Sequence, residues 1–521
     1  MTTQKRTGED GKTVSSWHED VDVPQFSELD KNRECDVCIV GAGIAGLSVA
    51  YQLAVGGRSV IVLDDSQVGD GQTGRTSGHL ASAWDDRYFT AERELGTEAT
   101  KLIYESHSRA IDKIESIAQR ERIDCDFQRV HGWLFLDPEH DEKLLNDELA
   151  AAHRAGFGDV EKQPRLPIGG FGAVPCLRFG GQAEFHPMKY LAGLARSITQ
   201  RGGKIFCGDR VIDVQGTDAK KNERAVATTQ RGPLVRAGAI VVCTNTPAPI
   251  NDWMGIYTKQ ASYRSYVIGA KIPKKSVPSA LYWDTTDPYH YVHVQKLPRE
   301  NFDLLLVGGE DHKTGQFPER AAPFMRLETW AKSKFKQMGE VVYRWSGQVQ
   351  EPIDGVAFIG KAPHGKPDVY VCTGDSGMGL THGTIAGMLI ADLIAGRSNP
   401  WTTLYDPSRK TVSAAAEFVK ENLNAAETFT KYLTPGEVSK ADEIPPGTGA
   451  LMRQGLKKLA VYKDESGAVH KCSAICTHLG CVVAWNDVEK TWDCPCHGAR
   501  YDAIGKVIMG PAIDDLPPVD E

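Results

Sequence analysis

A glycine triplet, Gly41-x-Gly43-x-x-Gly46, constrains this chain more than any other feature. It sits between an apolar run at 35–40 and a helix-compatible stretch ending at Leu53. The first glycine permits a tight turn, the second lets the backbone approach a pyrophosphate, and the third lets the helix pack on the strand. The helix N-terminus then turns its partial positive charge toward the phosphates. A second apolar run at 59–63 leads into Asp64, 18 residues after Gly46, where a carboxylate suits a ribose hydroxyl. Together these parts predict a βαβ opening and an α/β Rossmann-type dinucleotide site.

The next segment bears on which dinucleotide. Residues 69–80 form a second loop rich in glycine and hydroxyl groups, including Thr73, Gly74, Arg75, Thr76 and His79. Such a loop runs along the far side of a pyrophosphate toward a flavin. Much later, Gly374, Gly377, Met378 and Gly379 precede a helix expected to begin near Leu380. Its N–H groups suit the N1/C2=O edge of a flavin, where negative charge builds on reduction. With Trp345-x-Gly347, the 352–360 run and the 377–383 run, the stretch 36–397 resembles the D-amino-acid-oxidase-like class of FAD-dependent oxidoreductases. That resemblance implies bound FAD. It also implies a Rossmann-type FAD domain interleaved with a substrate domain built on an antiparallel sheet. No second glycine triplet follows a strand, so electrons are expected from an organic donor rather than from a nicotinamide.

Five of the 12 cysteines fall between 472 and 496. Cys476-x-His478-x-x-Cys481 is followed, 12 residues on, by Cys494-x-Cys496-His497. In a long chain, clustered Cys with nearby His argues for metal before a disulfide scaffold. A Rieske 2Fe-2S centre needs two thiolates and two imidazoles, which the two boxes supply; zinc is the competing occupant. Residues 443–516 resemble the Rieske family, with Gly505, Gly510 and Pro511 matching the loop that closes over such clusters. The resemblance implies Cys476 and Cys494 on one iron, His478 and His497 on the other, and a Cys481–Cys496 disulfide between the loops. The family's sulfur-binding tyrosine is retained as Tyr501, while its sulfide-bonding serine is replaced by Ala499. A hydrogen bond to a charged acceptor is worth roughly 1.5–3 kcal/mol, or roughly 65–130 mV for one electron. A lower potential than in serine-containing relatives is therefore expected. Cys472 is left over as a free strand thiol.

At 521 residues the chain has room for three or four domains. Thr434-Pro435-Gly436 breaks a helical pattern at 412–433, and short β-rich runs follow. The expected organisation is an extension at 1–33, an oxidoreductase at 34–434 and a small all-β Rieske domain at 435–521. This layout resembles bacterial-type fusions of the two modules.

Asp287, His290 and His293 offer the carboxylate and two imidazoles of a mononuclear iron site. Alternation along a strand sends His290 and His293 to opposite faces, which disfavours chelation. The same alternation puts Tyr289, Tyr291 and His293 on one face, and with His79 they are the candidate catalytic residues of a substrate pocket. His382 falls in a second loop near the flavin by resemblance. Cys35-x-x-Cys38 has a spacing that separates sulfurs on a strand. Relatives that oxidise amino acids hold the substrate carboxylate with an arginine, and the matching position here is Val349. Arg264 and Arg344 are the substitutes to test.

Lys and Arg number 60 against 68 Asp and Glu, a net charge of −8, so no nucleic-acid partner is expected. No apolar run of about 18 residues exists, so no membrane span is expected. The polar stretch 1–32 lacks a signal-peptide core, which suggests a cytoplasmic protein. The functional expectation is oxidation of an organic donor such as an amine, with electrons passing from flavin through the Rieske cluster to an external one-electron acceptor. A flavin oxidase with a peripheral cluster and a non-catalytic redox-sensing or electron-storage module stay open.

Overall fold

The computed structural model describes residues 11–246, 256–316, 322–363, 367–410, 432 and 434–519. The helix expected at 412–433 lies, Tyr432 apart, outside the described residues.

Apolar strands without alternation need cover on both faces, and they form the interior of a mostly parallel sheet. Arg33–Val40 lies between Val60–Asp64 and Leu234–Val242, parallel to both. Lys204–Cys207 extends one side in parallel and Val369–Thr373 the other, with Phe358–Lys361 as an antiparallel edge. The helices Ile44–Val55 and Gly379–Ile394 pack against each other over this sheet. Their closeness depends on missing side chains: a Cβ on Gly383 would lie 2.9 Å from Ala45 N, and one on Gly387 2.8 Å from Ser48 C.

The second sheet has nine strands. Val341–Pro352, Gln260–Pro273, Phe302–Lys313 and Tyr291–Gln295 pair antiparallel in that order. Leu281–Asp284, Gln128–Phe135, Cys176–Glu184 and His79–Leu80 continue it, with Val160–Gln163 beside Cys176–Glu184. Amphipathic spacing across 92–117 predicts a helix, and the structure has two there, Tyr88–Leu95 and Thr97–Glu121. They break at Gly96, whose φ of +85° favours a residue without Cβ.

The C-terminal module stacks a three-stranded sheet (Thr448–Gln454, Lys457–Lys463, Val469–Ser473) and a four-stranded one (Ala484–Asn486, Thr491–Asp493, Arg500–Asp502, Val507–Met509). Trp492, Tyr501, Leu451 and Ala460 are buried in its core, as is Cys472, which remains a free thiol.

The N-terminal segment is not a loose tail from residue 12 on. Trp17 is buried and its Nε1 donates to Thr76 O at 2.7 Å, Ser15 Oγ donates to Gly74 O, and Ser16 Oγ donates to Gln295 Oε1 at 2.5 Å. Among the described residues, no helix is long and apolar enough to cross a membrane.

Candidate active site and metal centre

A cavity of about 810 Å³ runs from the glycine turn, between the two sheets, to the C-terminal module. That volume suits a large cofactor with a small ligand beside it. At one end lie Gly41, Gly43, Ile44, Asp64 and Thr73. Gly41 has φ +109°, and a Cβ there would sit 2.5 Å from Cys243 O. A Cβ on Gly46 would be 1.8 Å from Gly41 O, and one on Gly43 would be 3.0 Å from Thr73 Oγ1. Asp64 Oδ2 accepts from Ala42 N–H at 2.5 Å and Oδ1 from Ser66 N–H at 2.9 Å, so its carboxylate also braces the turn. Burial, then the neighbouring Asp65, pushes Asp64 up to about 7. Thr73 Oγ1 accepts from Ile44 N–H at 3.1 Å and ties the second loop to the helix start. A glycine-lined turn, a helix N-terminus and a cavity of this size fit a dinucleotide of the FAD type.

Gly377, Met378 and Gly379 line the cavity where the helix Gly379–Ile394 begins, and His382 Nδ1 pairs with Asp375 O at 2.9 Å. Gly374 lies just outside the lining, with φ +75°. Gly74 lies behind the loop, packed so that a Cβ would meet Gly69 O at 2.3 Å.

At the other end the nine-stranded sheet supplies Tyr291, Ser265, Trp283 and Asp311, and the segment just before the strand Tyr291–Gln295 supplies Tyr289. Tyr289 OH donates to Asp85 Oδ1 at 2.7 Å, and the Tyr291 and Ser265 hydroxyls lie 2.7 Å apart. His79 lines the cavity, its ring 5.5 Å from that of Tyr291 and 5.7 Å from that of His293. Burial, then His293, pushes His79 down to about 3, so its imidazole stays neutral. His293 sits behind His79, 2% exposed, with Nε2 3.4 Å from Glu184 Oε2. His290 faces the other way, stacked on Trp330 at 4.3 Å with Nδ1 2.8 Å from Asp284 Oδ2. The sequence candidates Tyr289, Tyr291 and His79 therefore share the cavity, while His293 stands one layer back.

In the C-terminal module the two Cys-His boxes meet. The rings of His478 and His497 are 5.1 Å apart at 89°, and buried His497 Nδ1 has no partner. Burial pushes both imidazoles down to about 4, the neutral form that a metal ligand requires. Tyr501 OH donates to Cys476 Sγ at 3.2 Å, and Ala499 beside it is fully buried. Ligand atoms of Cys481, Cys494 and Cys496 also lie within 4.8 Å of one another, but Cys481 and Cys496 are joined by a disulfide and cannot serve a zinc ion. The donor set left, two thiols and two neutral imidazoles, fits a Rieske cluster.

The chain matches the FAD dependent oxidoreductase family over residues 36–393. It belongs to that family. Residues 434–520 match the Rieske [2Fe-2S] domain. A protein of Bacillus subtilis (strain 168) named YhfW, described as a Rieske 2Fe-2S iron-sulfur protein, is 32% identical over 510 residues, covering 97% of each chain. The gamma-glutamylputrescine oxidoreductase of Escherichia coli (strain K12) is 24% identical over 397 residues, covering 71% of this chain and 86% of that one. The fold is shared with glycine oxidase from Geobacillus kaustophilus, at a TM-score of 0.60 and 19% identity over 73% of this chain and 100% of that one. FAD and the 2Fe-2S cluster are the cofactors of the two domains.

The FAD module of this family member carries its Rieske module docked. Ser262 Oγ donates to His497 O at 3.1 Å, and Gln348 Nε2 donates to Gly498 O at 2.9 Å. The Tyr257 and His478 rings are 5.0 Å apart. A Cβ on Gly498 would lie 2.2 Å from Ser262 Oγ, so only glycine fits there. Val507, Ile508, Met509 and Ile513 close one wall of the flavin-module cavity.

Arg75 lines that cavity, but its guanidinium reaches across the module boundary. Nη1 donates to Ser346 O at 2.9 Å and lies 3.4 Å from Glu489 Oε1, while Nη2 donates to Thr13 O at 2.8 Å. Arg264, fully buried, lies 3.4 Å from the same Glu489 oxygen, and Arg344 pairs with Glu328 at 2.9 Å on the surface. Neither is placed to hold a substrate carboxylate in the cavity. Cys35 and Cys38 are buried free thiols.

Sequence reasoning passed over Asp85, Asp311, Glu351 and Asp375, all of which line the cavity, and Glu489 at the boundary. Asp375 was within reach, inside a glycine segment already singled out. The others carry no local motif, because strand pairing and module docking bring them together.

Proposed function

We propose that this chain oxidises an organic amine donor in the cavity and delivers the electrons through its Rieske module to an external one-electron acceptor. The observation that carries this reading is the seating of the histidine-bearing loops on Ser262 and Gln348, two residues of the strands that wall the cavity. When bound, FAD supplies two-electron chemistry and the cluster one-electron chemistry, so together they convert one mode to the other. Two similar proteins, a glycine oxidase and a gamma-glutamylputrescine oxidoreductase, bear names of nitrogen-containing donors.

The glycine turn with Asp64, Thr73 and Thr76 would hold the dinucleotide, and Gly377 to Gly379 the flavin edge. Cys476, Cys494, His478 and His497 would hold the cluster. Tyr289 and Tyr291 wall the donor end, with the Tyr289 hydroxyl fixed by Asp85. His79 at a pKa of about 3 acts as a neutral hydrogen-bonding wall rather than a proton acceptor. His293 supports that ring from behind.

Anaerobic mixing of the holoprotein with candidate amines tests the reading. The flavin band is expected to bleach and the reduced Rieske EPR signal to grow after it. Bleaching with a cluster that stays oxidised would refute the relay and favour an oxidase.

A further inference from the structure

We infer that the donor end of the cavity selects a ligand that carries positive charge and no carboxylate: an alkyl amine, diamine or polyamine rather than an amino acid. This deepens the reading of the cavity as the donor site and rests on it.

Four carboxylates, Asp85, Asp311, Glu351 and Asp375, face the part of the cavity walled by Tyr289, Tyr291, Trp84 and Trp283. Three have identified local partners. Asp85 Oδ1 accepts from Tyr289 OH at 2.7 Å, Glu351 Oε2 from Ser376 Oγ at 2.7 Å, and Asp375 Oδ1 from Gln350 N–H at 2.9 Å. Asp311 differs in one atom: the Ser265 hydroxyl, paired with Tyr291 OH, also bonds its carboxyl, but its Oδ1 is shielded from solvent and has no hydrogen-bond partner. A buried polar atom left unpaired costs free energy that a complementary ligand recovers. A carboxylate oxygen accepts only, so the missing partner is a donor, and an ammonium group is the donor that also matches its charge. The aromatic walls are equally suited to a cation.

Two of the three Arg and Lys side chains that line the cavity are engaged elsewhere. Arg75 is tied to Thr13, Ser346 and Glu489, and Arg210 to Asp65 and Val507 O near the glycine turn. Lys506 enters from the Rieske wall. Arg87 is near Asp85 but donates to the main-chain oxygens of Asp85 and Asp284. Burial pushes Asp311 up to about 7, which is the behaviour of a carboxyl lacking a counter-charge. A cationic ligand supplies that charge.

The test uses FAD- and cluster-loaded protein under anaerobic conditions, titrated with pentylamine, cadaverine and δ-aminovalerate, with perturbation or bleaching of the flavin band as the readout. The two amines are expected to bind at least about tenfold tighter than δ-aminovalerate, the scale of one charge-assisted contact. Asp311→Asn is expected to reduce that preference below about threefold while FAD and iron contents stay unchanged. Asp85→Asn serves as the second variant if the first fails to fold. Tighter binding of δ-aminovalerate, no response to any of the three, or a preference unchanged in the folded variant would overturn the inference. Cluster reduction reports separately on the relay: a charge preference with an oxidised cluster sinks the relay alone.

Discussion

Gly43 shows how much one missing side chain decides. Its neighbours leave a Cβ only 3.0 Å from Thr73 Oγ1, and that oxygen is already used to accept from Ile44 N–H. Gly43→Val puts a branched side chain where a pyrophosphate has to approach and pushes the second loop off the helix start. The variant is expected to retain less than about a tenth of its FAD while keeping its iron, since the cluster ligands lie in another module. Flavin absorbance against iron content on the purified variant checks this, and normal FAD occupancy would remove the glycine turn from the site. The glycines were legible because a backbone that must come close to something tolerates no substitute. The two Cys-His boxes stood out in the sequence because metal chemistry fixes residue type and spacing together. Asp311 was not, because a lone aspartate late in a strand means nothing until the sheet gives it a face.

At the scale of elements, the junction between modules turns on the short loop that ends at Glu489. Its side chain is fully buried, accepts from Thr13 N–H at 3.1 Å and Thr13 Oγ at 2.6 Å, and faces Arg75 and Arg264. Four stretches distant in sequence therefore converge on one carboxylate: the N-terminal segment, the second flavin loop and the strands Gln260–Pro273 and Val341–Pro352. Burial alone would raise Glu489, but Arg75, Arg264, Arg500 and the Ser346 hydroxyl hold it down from 4.5 to about 2. A carboxyl depressed on folding contributes stability that is full above its unfolded pKa and is lost as pH falls through the folded value. From 4.5 to about 2 this amounts to about 3 kcal/mol. The expected outcome is a loss of thermal stability as pH drops from 4.5 toward 2, flattened in Glu489→Gln. At neutral pH that variant should be less stable by about 3–5 kcal/mol, because Arg264 and Arg75 lose their buried counter-charge. Calorimetry across the pH series decides it; a variant with the wild-type slope would assign the acid transition to other groups. None of this was legible from the sequence, where 1–33 reads as an extension and Arg264 as a possible substrate-carboxylate clamp. The break at Gly96 was missed for a related reason: amphipathic spacing continues across 92–117 although the backbone does not.

For the whole molecule, the docked geometry bears on how electrons would cross between modules. Two routes are conceivable, direct approach of the histidine edge or a swing of the linker near residues 434–437. The histidine loops already rest on the flavin module, His478 by its ring on Tyr257 and His497 by its carbonyl on Ser262. From there Ser262 Oγ lies 2.9 Å from Gln350 Oε1, and Gln348 N–H donates to Gln72 Oε1 at 2.5 Å, within the cavity wall. Hydrogen-bonded residues thus link the cluster loops to the cavity wall, and we expect exchange without a swing. The histidine edge being turned inward, we expect it to be the entry point, with the external acceptor meeting another face of the module. Cys476→Ser tests the relay, because it removes an expected cluster ligand without touching the flavin module. Flavin bleaching by the true donor is expected to keep its rate within about twofold, while turnover with the external acceptor falls by at least about a hundredfold, as for loss of an essential redox step. Stopped-flow absorbance separates the two phases, because flavin and cluster bands differ. Acceptor turnover that survives without the cluster would make the Rieske module peripheral, and oxygen consumption at the flavin would then be the activity to measure.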